Sequence, residues 1–431
     1  MTPAPAQLGL RENIAQFSLL LGINAFVGAM VGLERSTLSL VGEDDFGLTS
    51  SAAVLSFIVA FGLAKSFTNL GAGVFAERLG RRRLLIVGWA LALPVPLMIG
   101  LAPSWSWIVA ANALLGANQG LAWSMTVVMK IDLVGPKRRG LALGLNESAG
   151  YGGVALAAAL SGWLATEFGA RDVLVVAGAA IAVTALVVSV LFVRDTAGHM
   201  AIEQARSDPD ATEEAPALRQ AFPDATYRDP VLRSCSQAGL VNNLNDALAW
   251  GLVPLFLAAN GASVSQIGLV AGLYPAVWGL GQILTGHWSD RVGRKPLIVS
   301  GMLIQSGALA LLAVSDGEVT VAAVSAVLLG VGTALVYPTL IAAISDAVSP
   351  IARAPAVGVY RFWRDMGYVA GGLIAGLVAD AIDFSAAIVL VAALTAASGA
   401  WVAIDMSERR RDGRSDRPKG ARLTLGSRSN G

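Results

Sequence analysis

The sequence predicts an all-α membrane protein, with about twelve transmembrane helices forming two pseudo-symmetric six-helix bundles. Three observations carry that expectation. Of the 431 residues, 55% are hydrophobic and only 14% charged, against roughly 25% charged in soluble domains. The chain also divides into apolar runs close to the ~20 residues that span a bilayer. Finally, one charged turn occurs twice: GVFAERLGRRRLL, Gly73 to Leu85, returns as GHWSDRVGRKPLI, Gly286 to Ile298. Counterparts in the two copies are 213 residues apart (286−73, 290−77, 293−80).

In order, the runs cover 14–40, 48–76, 84–101, 105–133, 141–166 and 173–193, then 231–259, 267–288, 297–314, 319–344, 354–379 and 386–404. They define a first bundle over 14–194 and a second over 230–405. Between them lies a polar linker, 195–229, rich in Asp, Glu, Pro and Ala, which need not be ordered. A basic tail, 406–431, closes the sequence and suits anionic lipid headgroups better than nucleic acid. The first residues lack the basic start and small-residue cleavage site of a secretory signal, so the first run reads as a retained helix.

Lysine and arginine in short loops set orientation. With the N-terminus inside, the inner loops carry Arg78, Arg81, Arg82, Arg83, Lys137, Arg138, Arg139, Arg291, Arg294, Lys295 and Arg353. The opposite side carries mainly acids, among them Asp45, Glu167, Asp316 and Asp380, with Arg35 and Arg171 as the exceptions. Both termini are therefore expected to be cytoplasmic, in a bacterial-type inner membrane. The two halves relate as parallel repeats, a design that places the solute site between them.

The duplication extends further. Asp132, Pro136, Arg139 and Gly144 match Asp346, Pro350, Arg353 and Gly358 at an offset of 214, and Trp123 matches Tyr337. Gly150, Tyr151, Gly152 and Gly153 in the fifth run parallel Gly367, Tyr368, Gly371 and Gly372 in the eleventh, and such small residues let helix backbones approach closely.

Over essentially its whole membrane portion the chain resembles the major facilitator superfamily. That family's loop signature, G-x-L-a-D-r-x-G-r-k, is filled by Gly73, Arg78, Gly80, Arg81 and Arg82, with Glu77 where aspartate is usual. The second copy supplies Gly286, Asp290, Arg291, Gly293, Arg294 and Lys295. The resemblance implies secondary transport by alternating access, with the signature as a cytoplasmic gate. Physically, a rim carboxylate can sit against the exposed N–H groups of a helix starting on the other half. Glu77 would then face the start of the eleventh run and Asp290 the start of the fifth. The alternative is a pair of turns that only fix topology. Antiporters of the family often carry G-P-x-x-G-G in the fifth helix; here Gly150-Tyr151-Gly152-Gly153 lacks the proline.

Polar residues inside the spans are candidates for handling solute or protons. These are Asn24 and Glu34 in the first run, Lys65 and Asn69 in the second, Gln119 and Trp123 in the fourth, and Glu147 in the fifth. The second half adds Asn242, Asp246 and Trp250 in the seventh run, Tyr337 in the tenth, and Arg361 and Asp365 in the eleventh. Bland alternatives stand beside them. Lys65 could snorkel to an interface, Glu34 could pair with Arg35, Arg361 could pair with Asp365 four residues on, and the asparagines could be interhelical glue. Lys130 reads as a rim or gate residue. Asp246 and Glu147 are the favoured proton carriers, and Lys65, Arg361 and Arg364 favour an anionic or zwitterionic solute.

One cysteine and two histidines leave no convincing metal site, and no nucleophile triad or phosphate loop suggests an enzyme or a cofactor. The expected function is a monomeric, proton-coupled secondary transporter of a small solute, with efflux favoured. The alternatives are uptake of an organic anion or zwitterion, and a transporter-like sensor without flux.

Overall fold

The computed structural model describes residues 7–135, 139–207, 218–348 and 352–407, and these are helical with no strand among them. In the first half, span one is α1 (Ile14–Arg35) with α2 (Leu38–Asp44), span two is α3 (Ser51–Val54) with α4 (Ser56–Leu79), and span three is α5 (Arg81–Ala92) with α6 (Pro94–Gly100). Spans four to six are α7 (Trp105–Val134), α8 (Arg139–Phe168) and α9 (Ala170–Leu191). The linker is not featureless: α10 (Ala197–Ser207) and α11 (Leu218–Pro223) form at its two ends, followed by a π-helical turn, Asp224–Arg228. In the second half, α12 (Pro230–Ala247), a π-turn (Leu248–Leu252) and α13 (Val253–Ala259) make up span seven. Spans eight to twelve are α14 (Val264–Val292), α15 (Arg294–Ala313), α16 (Val319–Ala347), α17 (Arg353–Ala381) and α18 (Phe384–Asp405). This is the expected twelve-span architecture in two six-helix bodies.

Local chemistry accounts for many of these boundaries. Asp229 accepts bonds from the N–H groups of Val231 and Leu232, both at 2.9 Å, and Pro230 fills the first helical position, where no donor is needed. Ser263 and Gln266 form a reciprocal capping box at the start of α14. The π-turn in span seven has a cause in Pro254: it offers no N–H to the carbonyl of Trp250 four residues back, and its ring crowds that carbonyl.

The repeated turn has one geometry in both copies. Gly80 (φ 86°, ψ 150°) joins α4 directly to α5, and Gly293 (φ 102°, ψ 161°) joins α14 directly to α15. That region of backbone space is open essentially to glycine alone. Beside each glycine, an arginine opening the next helix grips an aspartate at the end of the following span. Arg81 Nε lies 2.7 Å from Asp132 Oδ2, and Arg294 Nε 3.0 Å from Asp346 Oδ2. In the first half the chain after α9 joins this bracket, with Thr196 Oγ1 donating to Asp132 at 2.6 Å and Asp195 accepting from the Arg82 N–H at 3.1 Å. Gly80→Ala is expected to cost about 1–3 kcal/mol from backbone strain, read as a lower unfolding temperature of the detergent-purified protein. An unchanged temperature would mean that the turn relaxes freely.

Within the first half α1 packs on α8 and α4 on α7; within the second α12 packs on α17 and α15 on α16. A Cβ added at Gly28 would fall 1.9 Å from the Gly150 carbonyl oxygen, so α1 and α8 touch backbone to backbone. The halves meet along two seams, α8 against α14 and α4 against α17.

Eight helical segments meet the length and apolarity of a membrane span on their own, among the described residues. The spans outside that set are α7, α8, α12–α13 and α17. They are the ones that carry Gln119, Glu147, Asp246, and the group Arg361, Arg364 and Asp365.

Candidate functional site

The two ends of the bundle differ in the charge of their loops. The basic face carries the arginine turns at Gly80 and Gly293; the acidic face carries Asp45, Asp316 and Asp380. At the acidic face the seams are shut. Asp380, near the end of α17, accepts from Ser50 Oγ at 2.6 Å, Ser51 N–H at 2.5 Å and Ala52 N–H at 3.1 Å, and so caps the first turn of span two in the other half. On the second seam, a Cβ at Gly162 of α8 would lie 2.6 Å from Gly268 Cα of α14. The two basic exceptions of this face are also accounted for. Arg171 Nε is 3.2 Å from Asp45 and its guanidinium lies over Phe46; Arg35 is buried with its guanidinium 5.1 Å from the centre of the Trp250 ring.

Midway along the seams lies a buried polar network shared by both halves. Lys65 of α4 is 3.6 Å from Asp365 of α17, with side chains 11% and 0% exposed, and Asn69 Nδ2 donates to the same carboxylate at 2.5 Å. Lys65 also faces the rings of Tyr368 and Phe61 at 5.2 and 5.5 Å, a position suited to cation–π attraction. Arg364 donates to Asn243 Oδ1 (3.1 Å), Tyr337 OH (3.3 Å) and Tyr151 OH (3.0 Å). Glu147 accepts from Trp123 Nε1 and Asn146 Nδ2, each at 3.0 Å, and from Tyr337 OH across the seam at 3.3 Å. Asp246 accepts from Tyr368 OH at 3.2 Å and makes a close hydrogen bond with Tyr274 OH. Toward the basic face, Arg361 NH1 donates to Ser124 Oγ at 3.3 Å, and Ser124 donates to Asn69 Oδ1 at 2.7 Å.

The structure therefore brings Lys65, Asn69, Trp123, Glu147, Asp246, Trp250, Tyr337, Arg361 and Asp365 to or beside the seam. Four other sequence candidates lie elsewhere. Asn24 bonds to the Asn146 carbonyl and Thr126, Gln119 to the Val27 carbonyl, and Asn242 to Gln305, each inside its own half. Glu34 is buried against Asn112 of α7 and makes no pair with Arg35; consecutive helical residues diverge by about 100°. Lys130 is buried on the Leu20 carbonyl at 3.1 Å and not at a rim. Asp365 turns to Lys65 and not to Arg361. Of the gate residues, Arg78 is exposed on the basic face, and Arg81 and Arg294 form the twin brackets with Gly80 and Gly293. Arg291 is exposed as well. The surroundings of Gly73 and Gly286 and the side chains of Glu77 and Asp290 lie outside what the structure describes, so the latch expectation falls outside the described residues.

Sequence reading passed over Tyr274 and Trp278, took Tyr151 only as part of a glycine-rich packing element, and took Asn243 only as one of the polar residues clustered in the seventh run. Tyr151 of the first half stacks on Trp278 of the second with ring centroids 3.6 Å apart and planes 32° apart, and Tyr274 continues the stack at 5.8 Å. Aromatic residues in apolar runs look alike whether they face lipid or a seam. Among the described residues, no group of histidine, cysteine or carboxylate side chains could hold a metal ion.

Toward the basic face the described cross-seam contacts end near Ser148 Oγ, which donates to the Gly279 carbonyl at 3.0 Å, and near Phe67 and Phe362, with centroids 5.6 Å apart. Beyond them, Cβ atoms at Gly144 and Gly358 would meet open space. Trp123, Asn69 and Arg361, on this side, are half-buried, whereas Tyr151, Trp278 and Asp365 are buried.

Comparison with known proteins agrees with this layout. The family model described as Major Facilitator Superfamily matches residues 13–232 and 235–428. The chain is 26% identical over 264 residues to a "Probable 4-methylmuconolactone transporter" of Cupriavidus pinatubonensis, covering 59% of this chain and 58% of that protein. It is 23% identical over 341 residues to a "Multi-drug resistance efflux pump PmrA homolog" of Lactococcus lactis, covering 76% and 80%. The chain thus spans less than two thirds of the first of these relatives. A crystal structure of the nucleoside transporter NupG superposes with a TM-score of 0.71 over 90% of this chain and 100% of that one, at 14% identity, a likeness of fold. With the family model matched along both halves, the chain belongs to the Major Facilitator Superfamily.

Proposed function

We propose that this membrane transporter is a secondary active exporter, moving a small organic solute by alternating access and coupled to proton movement. One observation carries the reading: charged and aromatic groups from both halves form one buried network, closed toward the acidic face and less covered toward the basic face. With the basic face in the cytoplasm, as loop charge favours, the thinner cover on that side among the described residues supports an inward-facing reading. Rocking the halves would break the Asp380 cap and, at the other end, bring Glu77 and Asp290 against the starts of α17 and α8. Export is in keeping with the name of the Lactococcus lactis relative. Uptake of an organic anion is the second reading, favoured by the cations Lys65, Arg361 and Arg364 on the seam.

Asp246 and Glu147 are the proposed proton carriers. Both accept hydrogen bonds from neutral donors, whereas Asp365 sits against Lys65. Protonating either of the first two breaks no ion pair among the described residues, though Glu147 is the charge nearest buried Lys130, while protonating Asp365 would remove the ion-pair partner of Lys65 in a low-dielectric site. In proteoliposomes, Asp246→Asn or Glu147→Gln is expected to abolish accumulation driven by a pH gradient while solute exchange at equal pH continues. Gradient-driven flux at the wild-type rate in both variants would remove these residues from the coupling mechanism. Absence of flux by the wild-type protein under any gradient would favour a sensor.

A further inference from the structure

Arg361 stands apart from the other cations of the seam. Lys65 has Asp365, and Arg364 donates to three neutral oxygens. Arg361 is half-buried with one long hydrogen bond, to a hydroxyl, and no carboxylate lies within ion-pair distance among the described residues. A guanidinium offers five donors in a planar fork that matches a carboxylate, and most of that capacity is unused here. The formal charge points the same way. Lys65, Lys130, Arg361 and Arg364 stand against Glu147 and Asp365, 4 − 2 = +2; adding Arg35 and Asp246 gives 5 − 3 = +2. A largely buried site with positive charge in excess favours an anion.

A second feature fixes the shape of that anion. Tyr151 and Trp278 come from opposite halves and overlap with their planes tilted by 32°. If the halves part at this depth, these two faces lose each other, and a planar ring is an object that satisfies both. The slot is tied to the cation. Arg364 holds the Tyr151 hydroxyl at 3.0 Å, and Arg361 precedes Arg364 by three residues on the same helix, about one turn away.

We propose that the seam binds a planar aromatic monocarboxylate, its carboxylate gripped by Arg361 and its ring inserted between Tyr151 and Trp278. This rests on the transporter reading and adds the chemical class of the solute. The test is calorimetric titration of the purified full-length protein in detergent with benzoate and 2-naphthoate. The matched controls are benzamide, benzylamine and cyclohexanecarboxylate. At least one aromatic acid is expected to bind tenfold or more tightly than every control. Arg361→Gln should lose that binding by a factor of ten to a hundred, with Arg361→Lys intermediate and both variants unfolding near the wild-type temperature. Tyr151→Leu should narrow the preference for benzoate over cyclohexanecarboxylate. The proposal is overturned if neither acid binds, if benzylamine or benzamide binds as well, or if Arg361→Gln binds the acid like wild type. Flux of the same panel into proteoliposomes separates this claim from the one beneath it. Movement of benzamide or benzylamine without the acids sinks the anion class and leaves the transporter. Binding of an acid at Arg361 with no flux of any compound upholds the site and sinks transport.

Discussion

Lys65→Ala is expected to abolish flux and to lower the unfolding free energy by about 3–5 kcal/mol, the usual consequence of removing one partner from a buried ion pair. Asp365 is fully buried, so without the ammonium 3.6 Å away its charge is held by hydrogen bonds from Asn69 and Asn243 and by attraction to Arg364, with no ion pair left among the described residues. The rings of Tyr368 and Phe61 would lose their cation as well. The double variant Lys65→Met/Asp365→Asn removes both charges, and most of the lost stability should return because no orphan remains. Flux should not return, since the pair joins α4 of one half to α17 of the other, where the halves move past each other in the proposed cycle. Thermal unfolding in detergent and proteoliposome flux, measured on the same preparations, separate the two effects. A single variant as stable as wild type would show that the pair contributes no net stability; a double variant with normal flux would remove it from the transport cycle.

The second large effect is conformational. Asp380 closes the acidic face by capping the first turn of span two with one hydroxyl and two backbone donors. Caps of this kind contribute about 1–2 kcal/mol. Asp380→Ala should therefore shift the balance between the closed and open acidic face roughly five- to thirty-fold, because the proposed rocking breaks the cap in the open state. Nitroxide labels at Thr49 and Ile382, exposed positions beside the cap in opposite halves, read this as growth of a longer distance population. Native Cys235 is buried and should not compete for label. An unchanged distance distribution would mean that the glycine contact between α8 and α14 alone keeps this face shut.

How much of this was legible from residues alone depends on the kind of constraint. The duplicated turn was legible because Gly80 and Gly293 occupy backbone space closed to other residues, so the motif is written locally. Lys65, Asp365, Glu147 and Asp246 were legible as charges where charge is costly. Their partners were not: Lys65 and Asp365 are three hundred positions apart in a 431-residue chain, and only packing joins them. Asn24, Gln119 and Asn242 show the converse, since an asparagine holding two helices together and one lining a seam look the same in a sequence. Asp380 counted only as an acidic loop residue that helps set topology, because its partners are backbone amides, which carry no residue identity.

The spans that fall short of independent apolarity bear on how the protein is made. A lysine, arginine or aspartate at the centre of a lone helix disfavours its entry into lipid by about 2.5–3.5 kcal/mol. The helix Pro230–Ala247 carries Asp246 and three asparagines in its last six residues, and Arg353–Ala381 carries Arg361, Arg364 and Asp365. Neither settles in the bilayer on its own account. Each is expected to need a companion helix to shelter its charges, whereas α14, α15, α16 and α18 are apolar enough by themselves, so the polarity of the finished seam constrains the order of assembly.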